Sequence, residues 1–271
     1  MNTRVVTIDP DRIEPALIAE AAECLRGGGL VAFPTETVYG LGADALNESA
    51  FRAIFAAKGR PNDNPIILHI SNTDALETLA AEVPEYAARL MRSFWPGPLT
   101  IVLKKRAGLP DYVTAGLDTV AVRMPSHPIA LALIREAGRP VAAPSANRSG
   151  KPSPTRAEHV ARDLSGKVDM IVDGGAAGIG LESTVVDATG GGGAPVVILR
   201  PGGVSREAIA AVVGAGNVAG AREEADRCCA AGAGSGDAAA ADVGAGMSAL
   251  TGPPADAPPI SPGTKYRHYA P

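Results

Sequence analysis

The sequence predicts a mixed α/β fold built on a sheet that contains both parallel and antiparallel strands. Apolar strand-like runs alternate with segments of helical period through residues 1–213, and Gly or Pro residues separate them. The chain has 271 residues, of which 46% are hydrophobic, so it can bury one large core. The last three predicted strands have little helix between them, which indicates that part of the sheet is antiparallel.

The elements follow in chain order. The first helix should run from near Asp11 to Arg26, because apolar residues recur along one stripe and three glycines follow it. The second helix should begin after Asn47, its N-cap, and end at Gly59. The predicted strands are eight mainly apolar segments, namely LVAF, IILHI, LTIVLK, TVAVRM, PVAA, MIVD, STVVD and PVVILR.

The C-terminal fifth of the chain has a different composition. Residues 214–259 consist mainly of Ala, Gly, Asp and Pro without apolar periodicity, and such a segment cannot bury enough surface to offset the entropy of ordering. We therefore expect a body over residues 1–213 and a flexible linker over 214–259. Residues 260–271 end the chain with Lys, Arg, His and two Tyr residues.

Charge and cysteine content narrow the classes of function. The net charge is −4, with 25 basic and 29 acidic residues, which disfavours a surface that covers a polyanion broadly but allows a local cationic cavity. Cys24, Cys228 and Cys229 form neither a disulfide framework nor a metal-binding pattern. We expect a soluble, cytoplasmic protein, because the sequence contains neither a signal peptide nor a membrane span. We assign no function to Cys228 and Cys229.

The segment PTETVYGLGADA is the first candidate site. Its GLGADA portion fits the GxGxxA dinucleotide fingerprint, but the acidic residue that a Rossmann fold places at the end of the next strand is missing, since Asp63 precedes that strand. Alternatively, Thr35, Glu36, Thr37 and Tyr39 form a polar loop at a strand end, where open sheets bind ligands.

Cations form the second group of candidates. Lys58 and Arg60, in KGRPNDNP, either offset the dipole of the preceding helix or bind phosphate. His69 lies in a strand and is either structural or a ligand-binding residue. Arg123 lies on a strand apolar enough to be buried, so it needs a carboxylate from the protein or from a ligand. Arg200, at another strand end, is either a surface residue or part of the site.

The segment APSANRSGKPSPT forms a loop rich in hydroxyl groups and cations, and LESTVVD places Ser183 at a strand start. Taken in order, PTETVYGLG, KGR with NDNP, SAN, ESTVVD and ILRPG resemble the YrdC-like threonylcarbamoyl-AMP synthases over nearly all of residues 5–210. The terminal SPGTKYRHYAP is similar to the motif that folds over the nucleotide pocket in longer family members. Those members continue into a Rossmann-like domain, so the chain is either a fragment or a form without that domain.

The resemblance implies a YrdC-like fold and an enzyme, a nucleotidyltransferase that makes L-threonylcarbamoyl-AMP and pyrophosphate from L-threonine, bicarbonate and ATP with magnesium. The product would pass to a tRNA threonylcarbamoyl transferase. It implies that Lys58 and Arg60 act in catalysis. It assigns L-threonine binding to Thr37, His69, Arg123, Ala143 and Ser183. It assigns ATP binding to Lys58, Arg60, Asn64, Thr119, Ser145, Asn147, Ser153, Arg200 and Tyr266.

Two other functions stay open at this point. One is an RNA-binding module that uses the cationic cavity and has no chemistry of its own. The other is a carbamoyl-adenylating maturation factor that starts from carbamoyl phosphate. In proteins of that kind this fold accompanies CxxC zinc elements and an acylphosphatase module, and neither is evident in the sequence.

Overall fold

Eleven strands form one mixed sheet in the computed structural model, which describes residues 2–59, 64–191 and 193–221. In chain order the strands are β1 (Arg4–Thr7), β2 (Val31–Phe33), β3 (Gly40–Asp44), β4 (Leu68–His69), β5 (Leu99–Lys104), β6 (Thr119–Arg123), β7 (Val141–Ala142), β8 (Met170–Asp173), β9 (Thr184–Asp187), β10 (Val196–Arg200) and β11 (Val218–Gly220). Across the sheet their order is β1-β8-β2-β3-β7-β4-β6-β5-β9-β10-β11.

Parallel and antiparallel pairs alternate irregularly across this sheet. The pairs β1/β8, β2/β8, β4/β6, β5/β9 and β10/β11 are parallel. The pairs β2/β3, β3/β7, β4/β7, β5/β6 and β9/β10 are antiparallel. The prediction of a mixed sheet is therefore confirmed.

Eight α-helices accompany the sheet within the described residues. They are α1 (Pro15–Arg26), α2 (Glu48–Lys58), α3 (Leu76–Leu79), α4 (Glu85–Phe94), α5 (Asp111–Thr114), α6 (Pro128–Ala137), α7 (Ala157–Leu164) and α8 (Arg206–Val213). None of these helices combines the length and the apolar character that crossing a membrane requires.

The ends of α1 and α2 show how local sequence sets a helix. In α2 the Asn47 side chain accepts a hydrogen bond from the Ala50 amide, and Gly59 adopts a left-handed conformation with φ 63°, so both predicted ends are confirmed. By contrast, α1 begins at Pro15, four residues later than predicted. Proline disfavours helical geometry in the residue before it and is well suited to the first helical position.

Helices cover the two faces of the sheet unequally. The larger core cluster packs one face against apolar residues such as Phe51 of α2, Leu90 of α4 and Ile209 of α8. On the opposite face, α1 and α6 pack over a second cluster that includes Phe33 of β2 and Val141 of β7. The part of that second face that β4, β6, β5 and β9 form carries the polar side chains described below.

The sheet extends past residue 213, where the sequence predicted the linker to begin. A short 3₁₀ turn, Ala215–Asn217, leads into β11, which pairs with β10, and Val218 and Ala219 are buried. That boundary was wrong because three residues among Ala and Gly give too short an apolar signal to identify a strand. The rest of the predicted linker and the segment 260–271 lie outside the described residues.

The segment GLGADA, which fits a dinucleotide fingerprint, has a different structural basis. Gly40 and Gly42 lie within β3, an antiparallel neighbour of β2, and not in a turn that opens a helix. A Cβ atom on Gly42 would lie 2.7 Å from Phe33 Cε1 and 3.0 Å from Val141 Cγ1. Glycine is therefore required here by close packing within the sheet.

We predict that Gly42→Ala lowers the free energy of unfolding by about 1–3 kcal/mol, because the added methyl group overpacks the space beside Phe33 and Val141. Chemical denaturation measures this change. Gly216→Ala is the matched control, since nothing lies within 4 Å of its Cβ position, and it should change stability by less than about 0.5 kcal/mol. Equal stabilities for the two variants would contradict the packing explanation.

Candidate active site

A cavity that opens to solvent lies on the polar part of the second sheet face. The loops that follow β2 and β7 and the loop that precedes β9 border the cavity. Seven of the residues that the resemblance assigned to substrates line this cavity, namely Thr37, His69, Arg123, Ala143, Ser145, Ser183 and Arg200.

Strand register brings the central residues of the cavity together. His69 of β4 pairs with Arg123 of β6, and Arg123 pairs with Thr100 of β5. Thr100 pairs in turn with Val185 of β9, which is opposite Arg200 of β10. Directly opposed residues point to the same face of a sheet. One row across five strands therefore presents a histidine and two arginines to the same cavity.

Arg123 is held by a protein carboxylate. Its Nη2 atom donates to Glu36 Oε1 at 2.7 Å, and its Nε atom donates to the Gly97 carbonyl at 3.2 Å. The second oxygen of Glu36 accepts a hydrogen bond from the Ser126 amide at 3.1 Å. Only 5% of the Arg123 side chain and 13% of the Glu36 side chain are exposed. The predicted need of Arg123 for a carboxylate is therefore met within the protein.

Arg200 has an equivalent partner in Glu182. One guanidinium nitrogen forms an ion pair with Glu182, and Nη2 donates to the Ser183 carbonyl at 2.9 Å and to Ser183 Oγ at 3.2 Å. The hydroxyl groups of Ser183 and Thr100 are 2.8 Å apart. Burial lowers the pKa of Arg200 from its usual value; Glu182 opposes this shift and the nearby charge of Arg123 adds to it.

His69 is the neutral member of the row. It is 3% exposed, and its ring meets Phe33 edge to face with a centroid distance of 6.5 Å. Burial lowers the pKa of His69 to about 3, and the positive charge of Arg123 contributes to the shift. Its Nδ1 atom is buried without a hydrogen-bond partner in the described part of the chain.

The polar loop predicted after β2 forms one wall of the cavity. Thr35 Oγ1 donates to the Val38 carbonyl at 2.6 Å and accepts the amide of Thr37, which fixes a tight turn. Tyr39 donates its hydroxyl hydrogen to the Gly175 carbonyl at 2.6 Å, and burial raises the pKa of Tyr39 above its usual value. Thr35, Thr37 and Tyr39 line the cavity.

Lys58 supports the neighbouring loop, in which Ser145 forms a β-bridge with Gly40. It is 4% exposed, and its ammonium group donates to the carbonyl oxygens of Ser145 and Asn147, the latter at 2.7 Å. The Asn147 side chain donates in turn to the carbonyl groups of Arg148 and Lys151 at 2.9 and 2.6 Å. These bonds fix the loop that presents Ser145. Lys58 therefore does more than offset the dipole of α2, although it does not line the cavity.

The other predicted residues lie at varying distances from this site. Asn64 is fully buried just before Pro65, which lines the cavity, and Ser153 donates to Glu182 Oε1 at 2.7 Å. Thr119 is at the other end of β6 from Arg123, about 13 Å along the strand, and does not line the cavity. Arg60, Tyr266, Cys228 and Cys229 lie outside the residues that the structure describes.

Glu182 is the cavity residue that the sequence analysis did not single out. It lines the cavity beside Ser183 and contacts both Ser153 and Arg200. The available signal was the requirement that a buried arginine has an acidic partner. Applied to Arg200, that requirement calls for an acidic partner but does not identify which acid supplies it.

The chain thus combines a mixed sheet with a cavity that is lined by two ion-paired arginines and a neutral histidine. The family model Sua5_yciO_yrdC, described as telomere recombination, matches residues 23–202. The chain belongs to this family, which confirms the resemblance found in the sequence motifs.

Several characterised relatives are similar to this chain. It is 59% identical over 204 residues to the threonylcarbamoyl-AMP synthase of Pyrococcus abyssi, a match covering 75% of this chain and 59% of that protein. The corresponding Bacillus subtilis protein is 52% identical over 255 residues, with 94% and 64% covered. The crystal structure of P. abyssi Sua5 complexed with L-threonine matches with a TM-score of 0.81 and 50% identity, covering 99% of this chain and 69% of that chain. The chain thus spans about three fifths of the length of these two synthases.

The low pKa of His69 predicts a pH-dependent stability. The unfolded chain binds a proton near the ordinary pKa of 6.5, whereas folded His69 does so only near 3, so the unfolded state binds more protons between these values. Stability must fall as the pH decreases through this window. We expect His69 to account for a loss of about 2 kcal/mol between pH 7 and pH 5.

Denaturation of the wild-type chain and His69→Gln at both pH values measures this contribution. The variant should lose less stability than the wild type over the same interval. His159→Gln, at a histidine with 40% of its side chain exposed, serves as the control and should keep the wild-type dependence. Identical pH slopes for His69→Gln and the wild type would show that His69 is not the group responsible.

Proposed function

We propose that this chain makes L-threonylcarbamoyl-AMP from L-threonine, bicarbonate and ATP and releases pyrophosphate, and that it is thus a nucleotidyltransferase. The observation that carries the proposal is the row of His69, Arg123 and Arg200 in one cavity, in a chain that belongs to the Sua5/YciO/YrdC family. The names of its relatives and the threonine complex of P. abyssi Sua5 support the choice of substrate.

L-Threonine would occupy the part of the cavity around Arg123. The guanidinium group offers the planar donor array that suits a carboxylate. The His69 ring would form part of the wall beside the substrate, since His69 lines the cavity. The hydroxyl groups of Thr37 and Ser183 and the backbone at Ala143 complete the proposed set, and all three residues line the same cavity.

ATP would bind on the side of Arg200. Ser145 also lines the cavity, and Ser153 donates a hydrogen bond to Glu182, which pairs with Arg200. Lys58 and Asn147 would act by fixing the loop that carries Ser145. Asn64, Thr119, Arg60 and Tyr266 are further candidates for nucleotide contacts on the strength of the sequence resemblance. Arg60 stays the proposed catalytic cation on the strength of the sequence resemblance, whereas Lys58, which does not line the cavity, would contribute by positioning the loop that carries Ser145.

The chemistry requires two anions to meet. The amine of threonine attacks bicarbonate, a C–N bond forms, and water leaves to give a carbamate. A carbamate oxygen then attacks the α-phosphorus of ATP, the new P–O bond forms, and the bond to the pyrophosphate oxygen breaks. Fixed positive groups offset the repulsion between carbamate and triphosphate and stabilise the charge that develops on pyrophosphate. This reaction needs no protein nucleophile.

Magnesium would enter with the nucleotide. Within the described residues, no group of three or more His, Cys, Asp or Glu side chains is arranged to hold a metal ion, and magnesium commonly binds through phosphate oxygens with one or two protein carboxylates. The phosphate oxygens of the nucleotide would hold the ion. The ion would neutralise phosphate charge. We further propose that the product passes to a tRNA threonylcarbamoyl transferase in the cytoplasm.

Pyrophosphate release with ATP, magnesium and bicarbonate, measured with and without L-threonine, tests the proposal. We expect release to depend on threonine. Release that needs carbamoyl phosphate instead would identify a different adenylating enzyme. Salt-sensitive RNA binding without pyrophosphate release would identify an RNA-binding module.

We predict that Arg123→Gln raises the KM for threonine by about 10- to 100-fold, because a charged hydrogen bond to the substrate carboxylate is lost. Arg123→Lys keeps the charge without the planar geometry and should have an intermediate effect. Arg135→Gln, at an exposed arginine of α6, is the control for the change in charge and should keep the wild-type KM. An unchanged KM for threonine in a folded Arg123→Gln variant would show that Arg123 does not bind threonine.

A further inference from the structure

Glu182 lies between two groups to which the proposed function assigns the nucleotide. Its carboxylate pairs with the guanidinium of Arg200 and accepts a hydrogen bond from Ser153 Oγ at 2.7 Å. Glu182 itself lines the cavity, and only 19% of its side chain is exposed. An acid thus occupies the side of an anion-binding cavity where phosphate is expected.

The other cavity arginine provides an informative contrast. Glu36 pairs with Arg123 but also accepts the Ser126 amide, and it is not among the residues that line the cavity. Glu36 therefore supports Arg123 from outside the cavity and can keep doing so when a ligand binds. Glu182 faces the ligand space, so a phosphate group approaching Arg200 must share or replace this carboxylate.

The electrostatics favour exchange of one anion for another. Arg123 and Arg200 are close enough that the charge of Arg123 disfavours the protonated form of Arg200, so an empty cavity needs a counter-ion beside Arg200. A nucleotide phosphate meets the same requirement and offers several acceptor oxygens for arginine and serine.

We propose that Glu182 is a positioning residue that competes with nucleotide: its carboxylate holds Arg200 and Ser153 in place until a phosphate group of ATP displaces it. This inference rests on the proposed binding of ATP in this cavity. It implies that Glu182 lowers the affinity for ATP while keeping the two partner groups in a geometry ready for phosphate.

Calorimetric binding of ATP with magnesium to the full chain tests this role. Glu182→Gln removes the charge with little change of shape and should lower the Kd for ATP about fivefold, with the Kd for threonine changed by less than about twofold. Glu158→Gln, at an exposed acid of α7, makes the same change of charge and should leave the Kd for ATP unchanged. Glu182→Asp shortens the side chain by one methylene group and should lower the Kd for ATP by a smaller factor. If Glu182→Gln does not fold, Glu182→Asp takes its place in the test.

A double-mutant cycle identifies the partner. If Glu182 acts through Arg200, the effect of Glu182→Gln should largely disappear in an Arg200→Gln background. Weaker or equal ATP binding by folded Glu182→Gln would overturn the competition and indicate that the carboxylate assists the nucleotide or is indifferent to it. A wild-type chain that does not bind ATP would contradict the proposed function as well, so the two failures are distinguishable.

Discussion

The two buried arginine–glutamate pairs are the interactions on which the cavity depends. Burying a guanidinium group costs several kcal/mol unless it is paired, and removal of one member of such a pair commonly destabilises a protein by about 3–5 kcal/mol. Glu36 belongs to the loop after β2, and Glu182 belongs to the loop that leads into β9. Each pair therefore ties a loop that borders the cavity to a strand of the sheet, so that the charges of the site also determine its shape.

Sheet register explains how these groups meet. His69, Thr100, Arg123 and Arg200 come from β4, β5, β6 and β10, which together with β9 form one continuous part of the sheet. A slip of one residue in any of these strands would turn its polar side chain to the apolar face, where the larger core cluster lies. Packing of that core thus also fixes the polar row, because the two sets of side chains alternate along the same strands.

Features with strong local signals were predictable from the sequence. Asn47 and Gly59 marked both ends of α2, and the apolar runs of β5 and β8 matched the observed strands residue for residue. The alternation in β4 and β6 placed His69 and Arg123 on the correct face. Features that depend on contacts distant in sequence were not predictable in this way. The strand β11 is recognisable only through its pairing with β10, and Glu182 acquires its importance only through Ser153 and Arg200.

The arrangement of acids around the cavity also bears on how an anion-binding site can exist in a folded protein before its ligands arrive. A cluster of unpaired buried cations would oppose folding, whereas permanently neutralised cations would bind substrates poorly. The structure combines two solutions, since Glu36 lies outside the cavity lining and Glu182 faces the space that a ligand would enter. The first stabilises the charge of Arg123 while leaving its cavity side accessible. Under the proposed exchange, a nucleotide phosphate replaces the second carboxylate, so that stability without ligand and affinity for ligand depend on different carboxylates.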